Sequence, residues 1–254
     1  MSASILGDNE WRARDTVPMQ SDVARYLTNR EGFRLKAIQD FCSTDPDYAD
    51  LLDAIDEYVA HLAYNLSGKI LVKNKTDDYL SYLLVTFMRG HFNVSQFTRG
   101  GEITDAGVLF RRQMEVLARL NEIRRTSDLE QLLRKTPNVG QLKGSLRRLY
   151  GEYSAIAHGS DTQQGQLLGT PFTEGFERSY PVFPRFSRHA YVLVGHVAFS
   201  VVELHAWLND HADDLDWPID GEWFDEWWGQ CAPEMVRLLK QDPYEPVEER
   251  SGAE

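Results

Sequence analysis

The chain has 254 residues, enough to bury a sizeable core without disulfide or metal staples. Its formal net charge of −12 argues against bulk attraction to phosphate backbones, because a nucleic-acid binder usually carries a basic footprint. The average hides an uneven spread: Arg111 to Arg148 has a balance of +6 and Glu203 to Glu254 a balance of −12.

Two cysteines, Cys42 and Cys231, lie far apart with no C-x-x-C, so neither a disulfide framework nor a zinc ribbon is indicated and a reducing cytoplasm fits best. The N-terminal MSASILGDNEWRARD lacks the apolar stretch of a secretory signal. The most apolar run, Ala190 to Leu208, is interrupted by His196, Glu203 and His205, so no membrane span or membrane partner is expected.

Residues 1–43 read as a polar N-terminal arm, with one short helix suggested by Phe33, Leu35, Ile38 and Phe41. From Asp47 to Leu66, Leu52, Ile55, Val59, Leu62 and Leu66 recur at steps of three and four, the inward face of an amphipathic helix closed by Gly68. Thr76-Asp77-Asp78 then reads as an N-cap with acids in the first turn, opening a helix to about Phe97 before Gly100-Gly101. Thr104-Asp105 opens another by the same logic, with Leu109, Val116, Leu120 and Ile123 inward and its arginines on a solvated face. Ser127 to Glu130 has capping-box spacing for a short helix to about Lys135, and Gln141 to His158 forms the next, stopped by Gly159.

Residues 159–186 hold glycines, prolines and scattered aromatics, which predicts a long ordered loop, with strand content confined there to a small hairpin. Ser187 caps a long helix to about His211 that is apolar on several faces and therefore central. A last helix, about Glu222 to Lys240, carries Trp223, Phe224, Trp227 and Trp228 as core or oligomer contact, and 241–254 reads as a disordered acidic tail. The prediction is an all-α bundle of six or seven helices over residues 44–240, with one long loop.

Phosphate-binding loops, dinucleotide fingerprints, H-E-x-x-H and G-x-S-x-G are all absent, and nothing calls for a cofactor. His189, His196, Glu203 and His205 share one helix, but Glu203 and His205 do not share a face, and no paired Glu-x-x-His repeat exists, so no metal site is expected. Two polar stripes remain. Arg111 and Glu115 stand at i,i+4 on one helix, and Tyr150, Ser154 and His158 repeat every fourth residue on another.

LFRRQMEVLARL followed by LYGEYSAIAHGS resembles an uncharacterised family of bacterial all-helical proteins that carries R-x-x-x-E on one helix and Y-x-x-x-S-x-x-x-H near the end of another. The resemblance implies that Arg111, Glu115, Tyr150, Ser154 and His158 are the family's recurring polar positions. Such proteins are likened to the HEPN (higher eukaryotes and prokaryotes nucleotide-binding) superfamily, which implies a nucleotide- or RNA-directed role of a toxin or phage-defence kind. The ribonuclease members place an arginine five to seven residues before the histidine, whereas here Tyr153, Glu152 and Gly151 occupy those positions.

An imidazole changes charge near neutral pH, so His158 could act as acid or base, with Arg111 holding a phosphate or developing anion and Ser154 beside them. Glu115, Tyr150 and Arg112 would complete the binding positions. The other reading is a non-catalytic interaction or oligomeric scaffold module, in which the same residues merely join two helices. There the tryptophan helix and acidic C-terminal region would meet a protein partner or a second copy.

Overall fold

A computed structural model describes residues 16–70, 72–125, 128–159, 167, 181–215, 217–241 and 243–244. They form α1 (Thr16–Thr44), α2 (Pro46–Leu66), α3 (Lys75–Arg99), α4 (Ile103–Ile123), α5 (Leu129–Leu133), a 3₁₀ turn (Val139–Gln141), α6 (Gly144–His158), α7 (His189–Leu215) and α8 (Gly221–Leu239). The class is all-α, and no strand occurs among the described residues. The predicted 159–186 loop lies mostly outside them, as does the tail beyond Tyr244.

The stripe expected of α2 is the one it buries: Leu52, Ile55, Val59, Leu62 and Leu66 are all in the core. In α4, Val116, Leu120 and Ile123 point inward as expected, but Leu109 is only half-buried and Phe110, Met114 and Leu117 fill the centre instead. α4 packs between α3 and α6 and against α7. By length and composition, His189–His211 would suffice to cross a membrane. It is instead mostly buried as a core helix, closed by Trp207 Nε1 donating to the Leu120 carbonyl at 3.2 Å.

Several local expectations are corrected. Where the N-terminal arm is described, Thr16–Thr44 forms a 29-residue helix rather than a short one, and residues 1–15 lie outside the described residues. Residues 16–31 contain no glycine and their only proline sits in the first turn, where it is tolerated, while residues 21–29 are exposed all round and so show no apolar stripe. α3 is capped by Asn74, whose side chain accepts from the Thr76 and Asp77 amides at 2.8 and 3.0 Å, and not by Thr76. α4 begins at Ile103, so Thr104 lies inside it. Asp128, accepting from the Gln131 amide at 2.9 Å, caps α5. The helix expected from Gln141 starts at Gly144 after the 3₁₀ turn, and Gly159 stops it in the left-handed conformation at φ 61°.

The α3–α4 hairpin turns on Gly101 at φ 75°, and a Cβ there would collide with the Arg185 main chain. The returning 181–187 segment can therefore lie across the turn, with Phe183 stacked on Phe33 at 5.0 Å. At the other end, α8 spends its aromatics on α2: Trp227 Nε1 donates to the Ala54 carbonyl at 2.8 Å and Trp223 stacks on His61 at 3.7 Å.

Candidate functional site

The α4–α6 contact brings four of the six predicted site residues together. Tyr150 Oη donates to Glu115 Oε1 at 2.8 Å and accepts from Arg111 Nε and Nη2 at 3.3 and 3.2 Å. Arg111 Nε also pairs with Glu115 Oε1 at 3.1 Å, and its guanidinium lies 5.5 Å from the Tyr150 ring centroid. Hydrogen bonding from Tyr150 and the Glu115 charge raise Arg111, and burial with the Glu115 hydrogen bond pushes the Tyr150 phenol up. At 22% and 30% side-chain exposure, Arg111 and Glu115 are partly buried and still reached by water.

The fourth member gives the cluster its chemistry. Arg111 Nη1 lies 3.2 Å from Nε2 of the exposed His158. A guanidinium has donors only, so this contact requires a lone pair on Nε2 and hence a neutral imidazole. A proton on Nε2 would convert it into two adjacent cations, an arrangement relieved by a bridging anion. The remaining two candidates stand apart. Ser154 is half-buried, one turn from Tyr150 and from His158, with no hydrogen bond to either. Arg112, next around α4, lines the groove facing α3.

Sequence reasoning missed a second polar stripe. On α3, His91, Ser95 and Arg99 repeat every fourth residue and converge on Asp56 of α2: His91 Nε2 at 2.8 Å, Ser95 Oγ at 2.7 Å and Arg99 Nη2 at 3.0 Å. Burial would raise the Asp56 carboxyl, but these hydrogen bonds and charges outweigh it and hold it below the usual range. The H-x-x-x-S-x-x-x-R spacing was its available signal. His91 is 0% exposed, Asp56 and Arg99 keep 23% and 16% side-chain exposure, and the network ties α2 to α3 around a buried histidine.

Arg119 was expected on a solvated face and is instead buried. It donates from Nη1 to the Leu132 carbonyl at 2.9 Å and from Nη2 to that of Lys135, and it pairs with Glu122 at 3.1 Å, fixing the end of α5. The other histidines are also absorbed by packing. His196 Nδ1 meets Tyr153 Oη at 2.6 Å, and His205 lies between Tyr58 Oη at 2.9 Å and Asn209 at 2.6 Å. Burial lowers both to about 4. Glu203, which burial raises, accepts from Asn121 and from the Lys143 amide. Among the described residues no group of three His, Cys, Asp or Glu side chains is placed to hold a metal.

No protein-family model, curated protein or solved structure matches the chain.

Proposed function

We propose that this is a bacterial, cytoplasmic protein directed at RNA or a nucleotide, of the toxin or phage-defence kind, acting through the α4–α6 cluster. The observation that carries the reading is the 3.2 Å contact between Arg111 Nη1 and His158 Nε2 at a water-reached surface. A phosphate entering there takes the guanidinium donor and meets the adjacent imidazole, a group able to give or take a proton. The same geometry bears on the missing arginine of the α6 sequence, because Arg111 reaches His158 from the neighbouring helix. In this reading Arg111 holds the anion, His158 moves the proton, and Tyr150 with Glu115 orients the guanidinium. The exposed Arg147 and Arg148 of α6 supply local positive charge in an otherwise acidic chain.

The test combines titration of nucleoside monophosphates and a short single-stranded RNA, an RNA-cleavage assay, and thermal melting of the parent, Arg111→Ala and His158→Ala proteins. Binding by the parent that is lost in both folded variants is the expected result. Absence of binding and cleavage by the parent, with a lowered melting temperature for His158→Ala, would remove the proposal. That outcome would support the second reading, a scaffold or interaction module meeting a protein partner through the acidic C-terminal region or a second copy. Mutual saturation of Arg111, Tyr150 and Glu115 favours it, since such a network also joins two helices without any ligand.

A further inference from the structure

Arg89 stands where two faces of α3 meet. On one side a cavity of about 460 Å³ opens between the end of α2 and α3, walled by Leu66, Ile70, Val85, Met88 and Phe92. On the other side a groove of about 220 Å³ separates α3 from α4, with Thr86, Asn93 and Arg112 along it. The spacing explains the division: Val85, Met88 and Phe92 follow one stripe, Thr86 and Asn93 the next, and Arg89 borders both. The first volume is the size of a small-ligand pocket and its walls are apolar apart from Ser67, Ser81 and the arginine. Two of its apolar residues, Val72 and Phe92, are left 52% and 36% exposed. Arg89 and Arg112 form no ion pair or hydrogen bond among the described residues, although the chain carries an excess of acids.

An apolar chamber bordered by a guanidinium that no described residue pairs, with a second guanidinium along the adjoining groove, fits one kind of molecule. We propose that this is a binding site for a single-chain amphiphile with an anionic head. The alkyl chain lies between α2 and α3, and the carboxylate or phosphate is held at Arg89 and, further along the groove, Arg112. Met88 suits such a site, since its unbranched thioether adapts to a chain without fixed shape. Arg89 lines both the apolar chamber and the polar groove, so one long side chain with an apolar stem and a charged head serves both. The site is separate from the α4–α6 cluster, where Arg111 turns toward α6 while Arg112 lines the groove with α3.

The test uses the purified full chain and the fluorescence of anilinonaphthalene sulfonate, an apolar anion, displaced by dodecanoate, dodecyl phosphate or dodecanol. Saturable binding, displacement by both anions below their micelle-forming concentrations, and at least about tenfold weaker displacement by dodecanol are expected. Arg89→Gln should weaken both anions about tenfold, and Arg112→Gln should weaken the phosphate more than the carboxylate, because a dianion profits from the second guanidinium. Val85→Trp, which fills the chamber, should abolish binding in a folded protein. Dodecanol binding as tightly as the anions, an Arg89→Gln protein of unchanged affinity, or absence of saturable binding to the parent would overturn the proposal. If Val85→Trp does not fold, the Arg89→Gln titration alone decides.

Discussion

His196 and His205 should make the fold sensitive to mild acid. Burial holds both imidazoles at about 4, against the ordinary 6.5. Between those values the unfolded chain binds a proton at each site and the folded chain does not. Stability is therefore complete above about pH 6.5 and declines as the pH falls toward 4. At 1.36 kcal/mol per unit the full displacement is worth about 3 kcal/mol per histidine, and allowing for water entry we expect about 2. His189, lowered by burial as well, adds to the trend in the same direction. Glu203 opposes it: its raised carboxyl takes up a proton in the folded state first and so gains stability on acidification. Asp56, held low, contributes its loss only further into acid, below the ordinary carboxylate range. The assay is urea unfolding followed by tryptophan fluorescence, in half-unit steps from about pH 7.5 to pH 4.5. His196→Gln should reduce the slope of stability against pH by up to about 1.4 kcal/mol per unit. A parent whose stability is flat across this window, or a His196→Gln protein with the parental slope, refutes the reasoning.

Three further outcomes are expected. Glu115→Ala removes the Arg111 ion pair and the acceptor of Tyr150 in a partly exposed setting, so the urea midpoint should fall by the equivalent of about 1–2 kcal/mol; an unchanged midpoint would show the pair to be a surface ornament. Gly101→Ala combines a left-handed backbone with a collision against Arg185, and its melting temperature should drop by several degrees, as for a loss of about 1 kcal/mol or more. Arg119→Met releases the carbonyls of Leu132 and Lys135, and trypsin should then cut after Arg134 or Lys135 faster than in the parent; equal nicking rates would mean that the segment is held by other contacts.

What could be read from the sequence was periodicity. The α2 stripe and the Arg111–Glu115 pair follow from i,i+4 spacing within single helices, whereas their meeting with Tyr150 depends on how α4 packs on α6. Cap identity was less legible: Asn74, Thr76, Asp77 and Asp78 are all competent cap residues, and only the backbone decides which of them accepts first. The Asp56 network was hidden because its members lie 35 to 43 residues apart and His91, Ser95 and Arg99 are interleaved with apolar residues that claim the same helix for the core. Arg119 reads as one of many arginines on α4, and nothing local reveals that the carbonyls at the end of α5 turn toward it.

The two three-residue stripes at four-residue spacing, His91-Ser95-Arg99 and Tyr150-Ser154-His158, pose similar chemistry in different surroundings. In the first, Asp56 already supplies the negative charge, and replacing it with a solute would mean opening the α2–α3 contact over a histidine that is fully buried. In the second, the partners of Arg111 differ in strength. Glu115 and Tyr150 engage Nε and Nη2, whereas among the described residues Nη1 meets only the imidazole of the exposed His158. A guanidinium donor binds an anion more strongly than it binds an uncharged acceptor. An incoming phosphate should therefore displace His158 from Nη1 while leaving Glu115 and Tyr150 in place, so that the network which joins α4 to α6 persists during binding. On this argument Glu115→Gln should preserve the fold better than Glu115→Ala, while loosening the orientation of the one donor that a ligand can take.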